Sequence, residues 1–404
     1  MQNTQTPVSA TTPATAIGGV ADLPTSRRIL FAAGAIQGGG AEGQLFQLAN
    51  ALSLLGNEVT VATLAPQGAH SEFRQLSLCG RMTKSRATNA LLLGRAGWRL
   101  ATCVRRTQPD VMITWLAIPT LMGAAAVAGT GTPWIAALRN SEPEQMRSLP
   151  PSILRVPMRI ALSCATTVIA NSVAGIHGYR ALGLLSHERT TVIGNCIDTT
   201  RFHPASVERR ARARARFGIA PDAHVVAYVG RDAPEKGLEL LVESVAQLPM
   251  HFPNPQIMIV GVHPERLAAI AASARVTLPD SLQVHARMQD IEDVYMAADV
   301  LLLTSRLEGS PNVVHEARAC CTAIVSTDCG DVRETMLPQD RVVPSDPRCI
   351  AAAVAEVLAA QCQPRAAPQP MSPTDCARRW VEAIESTLTS QGAVTRNAIA
   401  PPMR

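Results

Sequence analysis

The chain has 404 residues, too many for one ordinary hydrophobic core, so we expect two domains. Only 3% of the residues are aromatic, which argues against a nucleic-acid platform that stacks bases, and ten scattered cysteines without a CxxC spacing indicate reduced thiols rather than a zinc site. Residues 1–205 hold 17 basic and 9 acidic side chains (net +8), and residues 206–404 hold 20 and 23 (net −3), so we expect the first half to face an anionic partner.

A glycine turn follows the first predicted strand. Residues 28–33 form an apolar run, Gly38, Gly39 and Gly40 follow, and a helical leucine stripe leads to a second strand at 58–64. The glycines match GxGxxG only formally, because no acidic residue ends the second strand, and no Lys-Ser/Thr pair follows as in a P-loop. This pattern predicts either a turn at which the backbone approaches a ligand closely or an ordinary tight turn.

Polar residues follow a later strand of the first half. Residues 110–116 and 133–138 read as strands, and Arg139, Asn140 and Glu142 come directly after the second of them. Because parallel strands present their carboxyl ends to ligands, these residues are candidate acceptor contacts, with an ordinary polar loop as the alternative.

The second half begins with the same order of elements. An arginine-rich run at 209–216 is interpreted as a solvated helix face. The strand at 224–230 is followed by two cations, Arg231 and Lys236, and then by a helix and another strand at 256–261. The repeated order of strand, loop and helix predicts two similar α/β domains.

The chain is organised around a strand-to-helix crossing after the apolar strand 299–304. Ser310 is expected to cap the following helix and Pro311 to occupy its first turn. The free N–H groups of such a helix start attract a phosphate. Glu308 before the helix and Glu316 within it suit a ligand with hydroxyl groups on both sides of a phosphate, although both acids are also compatible with an ordinary solvated helix.

These elements predict a division of the chain into five parts. They are a disordered leader over 1–26, a first Rossmann-like domain over 27–205, a second over 206–374, a helix over 375–390 that packs back on the first domain, and a disordered tail over 391–404.

Four motifs together resemble glycosyltransferase family 4, the "glycosyl transferases group 1", whose members are retaining enzymes of the GT-B fold. The motifs are the E-x7-E pair Glu308 and Glu316, the GR…KG loop from Gly230 to Gly237, the segment 191–202 that is similar to "VIPNGID…F", and the glycine loop 38–42. The resemblance implies an α/β protein in which two Rossmann-like domains face each other across a cleft. It implies a hexosyltransferase that uses a nucleotide diphosphate sugar, expected to be UDP-linked, and a glycan or lipid-linked acceptor, as in cell-surface polysaccharide biosynthesis.

The resemblance also implies residue roles. Arg231 and Lys236 would hold the diphosphate and stabilise its charge as it leaves, Glu316 would bind the ribose, and Glu308 would contact the transferred sugar. Arg231, Lys236 and Glu308 are thus the expected catalytic residues, and neither a metal nor another cofactor is required. The residues expected to line the donor site are Gly38, Gly39, Gly40, Arg231, Lys236, Glu308, Gly309, Ser310, Pro311, Asn312 and Glu316.

The chain departs from the family pattern at several positions. No His follows the strand at 110–116, Cys196 stands where the family has Gly, and Cys321 and Ala323 replace Gly and Pro. Two alternatives therefore remain open: a GT-B nucleotide-sugar 2-epimerase, and a degenerate donor-binding protein without turnover.

The basic first half predicts peripheral binding to the anionic cytoplasmic face of a membrane, with no run of eighteen apolar residues to span it. Residues 153–162 alternate arginines with apolar residues, as an interfacial helix requires. The alternative is that the arginines only solubilise an Ala-rich domain. The arginine clusters expected to contact lipid are at 81–86, 95–106 and 147–159.

Overall fold

The computed structural model describes residues 26–34, 40–64, 73–79, 86–141, 151–186, 189–360 and 369–399. Gly38, Gly39, Glu142 and the expected leader up to residue 25 lie outside these residues. The chain folds around two parallel sheets with helices on both faces, so the expected two-domain α/β architecture is confirmed.

The first sheet has seven parallel strands in the order β3-β2-β1-β4-β5-β6-β7. The strands are β1 (Arg28–Ala33), β2 (Glu58–Thr63), β3 (Arg74–Ser77), β4 (Val111–Trp115), β5 (Trp134–Leu138), β6 (Thr167–Ala170) and β7 (Thr190–Val192). Its helices are α1 (Gly40–Leu54), α2 (Arg86–Thr107), α3 (Ala117–Val127), α4 (Pro151–Cys164) and α5 (Val173–Ala181).

Successive residues of β1 point to opposite faces of this sheet. Leu30 packs with side chains of α2, α3 and α4, whereas Phe31 packs with α1 and the C-terminal helix. A strand that is covered on both faces is apolar almost throughout, which explains why β1, β4 and β5 read as nearly continuous apolar runs.

The second sheet has six parallel strands in the order β10-β9-β8-β11-β12-β13. The strands are β8 (Val225–Val229), β9 (Gln256–Val260), β10 (Leu282–His285), β11 (Val300–Leu303), β12 (Ala323–Thr327) and β13 (Arg341–Val343). Its helices are α6 (Val207–Arg216), α7 (Leu238–His251), α8 (Pro264–Ala274), α9 (Ile291–Ala297), α10 (Asn312–Ala319) and α11 (Pro347–Ala359), and a 3-10 turn lies at Pro234–Lys236.

The last helix, α12 (Pro373–Ile399), lies on the first domain. Trp380 is fully buried beside Trp115, with ring centroids 6.0 Å apart, and Arg27 bonds Glu385 at 2.7 Å. The helix is longer than the predicted 375–390 and runs into the segment expected to be a disordered tail. The residues up to Ile399 include no proline beyond the first turn, and Pro401 and Pro402 come only after the helix end, where proline is incompatible with a continuing helix.

The interpretation of the arginine run as a solvated face is wrong. On α6, Arg210 and Arg214 both bond Asp299, at 2.5 and 3.0 Å, and Arg209 and Arg216 bond Asp293. Asp299 is only 4% exposed and also accepts a hydrogen bond from the backbone N–H of Val225 at 2.8 Å. The run therefore fastens α6 to the start of the second sheet.

The outer face of the first domain carries exposed apolar side chains among arginines. On α2, Leu91 is 78% and Trp98 is 68% exposed, and on α4, Val156 and Ile160 are exposed. Leu162, expected on the interfacial face, is instead buried in the core. Among the residues that the structure describes, no helix is both long and apolar enough to cross a bilayer.

Candidate active site

The loop that carries Lys236 is fixed against the end of β11. Gly237 has a φ of 62°, and an added Cβ would lie 2.2 Å from the carbonyl oxygen of Thr304, so only glycine fits. The Thr304 hydroxyl donates to the carbonyl of Lys236 at 3.1 Å, and the N–H of Arg306 donates to the carbonyl of Glu235 at 2.7 Å. Two loops from neighbouring strands are thereby joined at the carboxyl edge of the sheet.

This arrangement brings two predicted site residues into contact. The Lys236 Nζ lies 2.6 Å from Glu308 Oε1, and the Ser305 hydroxyl donates to the same oxygen at 2.7 Å. The side chains of Lys236 and Glu308 are 17% and 13% exposed. Because both side chains are partly buried, their charges interact more strongly with each other than they would in water. If the pair separates, the Lys236 ammonium can bind a phosphate and the Glu308 carboxylate can bind a hydroxyl group.

Arg231, the other predicted diphosphate ligand, lies apart from this pair. Its guanidinium bonds Glu235 at 2.5 Å and the side chain is 62% exposed. An exposed side chain held by one surface ion pair is free to reorient, because such pairs are worth only about 0–1 kcal/mol.

The start of α10 differs from the expected capped helix. Ser310 does not cap it, since Pro311 takes the capping position without a side-chain bond. The Ser310 hydroxyl lies 2.7 Å from Nε2 of His315, and it also interacts with the carboxylate of Asp331. Burial, and then the charge of Arg318, lower the pKa of His315 to about 4, so the imidazole is neutral at neutral pH.

Glu316 lies on α10 in an enclosed position. The Tyr295 hydroxyl donates to its Oε2 at 2.8 Å. Burial raises the pKa of Glu316, while the Tyr295 hydrogen bond and the charge of Arg201 partly oppose that rise. The carboxylate keeps accepting capacity beyond the Tyr295 bond, as a ribose ligand requires.

The loop after Glu308 touches the first domain. A Cβ added at Gly309 would lie 3.0 Å from Oδ1 of Asn171 and 3.1 Å from Cα of Asn140. Asn171 is buried, and its Oδ1 has no hydrogen-bond partner among the described residues. Asn140, a predicted acceptor contact, receives a hydrogen bond from the Tyr179 hydroxyl at 3.1 Å. The two domains are therefore closed on each other at this loop.

Asn195, on the segment that joins the domains, connects both sides of the cleft. Its Oδ1 accepts from Arg139 Nη2 at 2.6 Å, and its Nδ2 donates to the Ser310 carbonyl at 3.0 Å and to Asn312 Oδ1 at 2.6 Å. Arg139 is 7% exposed, lies 4.6 Å from the Trp115 ring centroid and has its pKa lowered to about 10 by burial. The predicted acceptor residue Arg139 is thus placed beneath the cleft as part of this connection.

The glycine loop of the first domain ends beside Asn312 at the start of α10. Gly40 is the first residue of α1, and a Cβ there would lie 2.6 Å from Nδ2 of Asn312. Sequence reasoning missed Tyr295, Asn171 and Ser305 as neighbours of the site. Their only signal is position, since Asn171 and Ser305 come just after buried strands.

Two family descriptions match consecutive parts of the chain. "Glycosyltransferase Family 4" matches residues 38–201, and "Glycosyl transferases group 1" matches residues 209–370. A D-inositol 3-phosphate glycosyltransferase of Segniliparus rotundus is 28% identical over 226 residues, which cover 54% of this chain and 50% of the relative. The match thus spans half the length of that relative.

Solved structures share the fold. The chain is similar to HepE of Anabaena, a structure in complex with UDP and glucose, with a TM-score of 0.68 and 19% identity over 89% of this chain and 100% of the other. It is also similar to sucrose-phosphate synthase of Thermosynechococcus elongatus, with a TM-score of 0.71 and 21% identity over 92% and 99% of the two chains.

Proposed function

We propose that the chain transfers a hexose from a UDP-sugar to a glycan or lipid-linked acceptor with retention of configuration. The proposal starts from its family, since the chain belongs to glycosyltransferase family 4 and is a glycosyltransferase of the GT-B fold. The contact between Lys236 and Glu308 is the observation that carries this proposal, because a cation and a carboxylate meet there at the carboxyl edge of the second sheet, which supports binding of a ligand with both phosphate and hydroxyl groups. The UDP complex of the similar HepE structure supports the choice of nucleotide.

In the proposed reaction, the donor diphosphate draws Lys236 away from Glu308. Lys236, with Arg231 turned inward from Glu235, stabilises the negative charge that grows on the diphosphate as its bond to C1 of the sugar breaks. The acceptor hydroxyl oxygen bonds to C1, and its proton passes to the departing diphosphate. No divalent metal or further cofactor takes part, because the side-chain cations supply the positive charge.

The remaining donor contacts follow from the same geometry. Glu308, once released by Lys236, accepts hydrogen bonds from hydroxyls of the sugar, and Glu316 accepts them from the ribose. The backbone of Gly309 to Asn312 lies between these carboxylates and fixes the sugar and diphosphate against the first domain.

The acceptor side of the proposal rests on the first domain. Its net charge of +8 and the exposed Leu91, Trp98, Val156 and Ile160 suit an anionic cytoplasmic membrane surface that displays a lipid-linked acceptor. Of the arginine clusters expected at lipid, residues 81–85 and 147 lie outside the described residues. Arg95, Arg105, Arg106 and Arg159 are exposed.

The test is release of UDP from a panel of UDP-hexoses, with and without membrane extract as a source of acceptor. We expect release with at least one donor, dependent on the extract, and loss of release in the Lys236→Ala variant. Conversion of the donor without any acceptor would support a 2-epimerase instead. UDP binding without turnover across the panel would identify a degenerate donor-binding protein. The absence of both UDP binding and turnover would contradict the donor site itself.

A further inference from the structure

Asn171, which follows β6 directly, is held firmly in the first domain. Its backbone N–H donates to the carbonyl of Leu138 at 3.1 Å and continues the ladder between β5 and β6. Its side-chain Nδ2 donates to the carbonyl of Arg139 at 3.4 Å. Because a carbonyl accepts only from the nitrogen end of an amide, this bond fixes which way the side chain is turned. The next residue, Ser172, caps α5 by accepting from the N–H of Gly175 at 3.0 Å.

The oxygen end of this side chain faces the loop after Glu308. Asn171 Oδ1 lies 3.0 Å from the position of a Cβ at Gly309, and the residue is only 3% exposed. The oxygen has no hydrogen-bond partner among the residues that the structure describes. Burial of a polar atom without a partner is unfavourable, and buried amide oxygens in folded proteins are nearly always bonded. An orphaned acceptor at the cleft therefore points to a donor that comes from a ligand.

Gly309 is equally fixed, but from the side of the second domain. Its carbonyl accepts from the N–H of Asp331 at 3.1 Å. A Cβ added at Gly330 would lie 2.7 Å from the same carbonyl oxygen and 3.0 Å from Cβ of Glu308, so the loop has no room to retreat into the second domain. The distance between Asn171 and Gly309 is therefore set by how far the domains close and by what lies between them.

The neighbour of Gly309 is the residue that the proposed function places at the transferred sugar. Consecutive Cα atoms are about 3.8 Å apart, so a sugar ring held by the Glu308 carboxylate lies within about one residue of the contact between Gly309 and Asn171. An amide oxygen accepts hydrogen bonds and cannot donate them, whereas a sugar hydroxyl can donate one. The orphaned oxygen and the sugar are thus complementary in their hydrogen bonding.

We propose that Asn171 Oδ1 accepts a hydrogen bond from one hydroxyl group of the transferred sugar, and that the first domain selects the sugar through this contact. The role rests on the proposed function, because it needs a UDP-sugar in the cleft. Glu308 and Asn171 bind the sugar from opposite domains, and the bond to Asn171 forms as the domains close. A donor that lacks the hydroxyl leaves the buried oxygen without a partner, which is how such a site rejects an analogue.

A cycle that combines one protein change with one ligand change tests this contact on the full chain. Calorimetric titration measures Kd for UDP, for the UDP-hexose that binds most tightly, and for analogues of it that each lack one sugar hydroxyl. In the unaltered chain, the analogue without the hydroxyl at Asn171 should bind about 2- to 10-fold more weakly than the parent, as for loss of one neutral hydrogen bond. In Asn171→Ala this ratio should fall to about 1, while the ratios for hydroxyls at Glu308 and the Kd of UDP stay unchanged.

The matched control is Asn50→Ala. Asn50 also has a buried Oδ1 without a partner among the described residues, but it lies ten residues along α1 from Gly40, about 15 Å from the cleft end of that helix. This variant should keep every ratio. Asn171→Ser places its hydroxyl oxygen one atom nearer the backbone than Oδ1, so it should behave like Asn171→Ala. It serves as the second variant if Asn171→Ala does not fold, as judged by the unfolding temperature.

The outcomes separate a sugar contact from a structural role. A structural role of Asn171 would weaken the parent and its analogues alike, so unchanged ratios in Asn171→Ala would overturn the proposal and leave the transferase function intact. Unchanged ratios with a raised acceptor KM would place the hydroxyl on the acceptor, which also overturns it. Absence of binding of UDP and of every UDP-hexose to the unaltered chain would contradict the proposed function, and the role of Asn171 with it.

Discussion

The Lys236 Nζ lies 2.6 Å from Glu308 Oε1, although the two residues are 72 positions apart. Each side chain neutralises the other before a ligand is present. In the proposed reaction the donor separates the pair and supplies a replacement partner for each member, a phosphate for the lysine and hydroxyl groups for the glutamate. Such an exchange favours a ligand that offers both groups over one that offers only one of them.

Removal of the lysine tests this exchange. We expect Lys236→Ala to lower kcat by roughly 10²–10³-fold, the range for loss of one group that stabilises transition-state charge, with a smaller change in donor KM. The matched control is Arg306→Ala, which removes an exposed cation of the adjacent loop that bonds Glu239 at 3.4 Å. Steady-state kinetics with equal kcat in Lys236→Ala and the unaltered chain would exclude the diphosphate role.

Glu316 should make nucleotide binding depend on pH. Burial raises the folded pKa of Glu316 above the ordinary value, so the native protein holds the proton more tightly than the unfolded chain does. The native protein therefore loses stability as pH rises over the interval from the unfolded pKa to the folded pKa. Ribose hydroxyls donate to the ionised form, so UDP affinity should increase with pH over the same interval, which begins at about 4.3. Calorimetric titration of UDP across a pH series measures the effect.

The matched variant for that experiment is Glu316→Gln. It should remove the pH dependence and weaken UDP binding by about 1.5–3 kcal/mol, as expected for a hydrogen bond to a charged group. An unchanged UDP affinity in a folded Glu316→Gln variant would show that the ribose lies elsewhere.

Gly309 should matter for closure and not for folding. An Ala side chain there meets Asn171 and Asn140 of the first domain at 3.0 and 3.1 Å, so closure should become less favourable by about 1–3 kcal/mol. We expect Gly309→Ala to lower kcat/KM while the unfolding temperature stays near that of the unaltered chain. Gly94→Ala, where an added Cβ meets no atom within 4 Å, is the control. Equal kcat/KM in both variants would contradict closure at this loop.

Asp299, the acid that bonds the arginines of α6, should contribute strongly to stability. Asp299 is 4% exposed and bonds the half-buried Arg210 and the buried Arg214. Asp299→Ala therefore leaves the buried Arg214 without its carboxylate partner and should destabilise the chain by about 3–5 kcal/mol. The exposed pair of Asp328 and Arg333, 58% and 57% exposed, offers the control Asp328→Ala, which should change stability by about 0–1 kcal/mol. Denaturant unfolding of both variants compares them, and similar midpoints would show that the arginine run is solvated after all.

Binding to anionic vesicles should require the outer face of α2. We expect the unaltered chain to sediment with anionic but not with neutral vesicles, and less at high salt, because the attraction is electrostatic. Trp98→Glu should weaken this binding, whereas Val207→Glu, at an 81% exposed position of the second domain, should not. Negligible sedimentation of the unaltered chain with either vesicle would indicate a soluble acceptor.

The sequence alone determined the parallel α/β fold and predicted the strand ends at which the candidate site lies. Strands β1, β4, β5 and β11 are buried on both faces, so their sequences are apolar almost throughout and are recognisable without a structure. The edge strands β3, β10 and β13 were not predicted, because they are only partly buried and their sequences are mixed. Since loops at the carboxyl ends of parallel strands converge, the order of the strands was enough to bring Lys236 and Glu308 to one edge.

Only the tertiary structure decided which side chains are partners. Periodicity and capping rules describe neighbours within a few positions, but Asp299 with Arg214 and Asn195 with Asn312 meet through packing of distant segments. The expected Ser310 cap failed because the helix begins one residue later, with Pro311 at the capping position. The Ser310 hydroxyl instead lies 2.7 Å from Nε2 of His315 and interacts with Asp331, a partner that only the tertiary structure brings near.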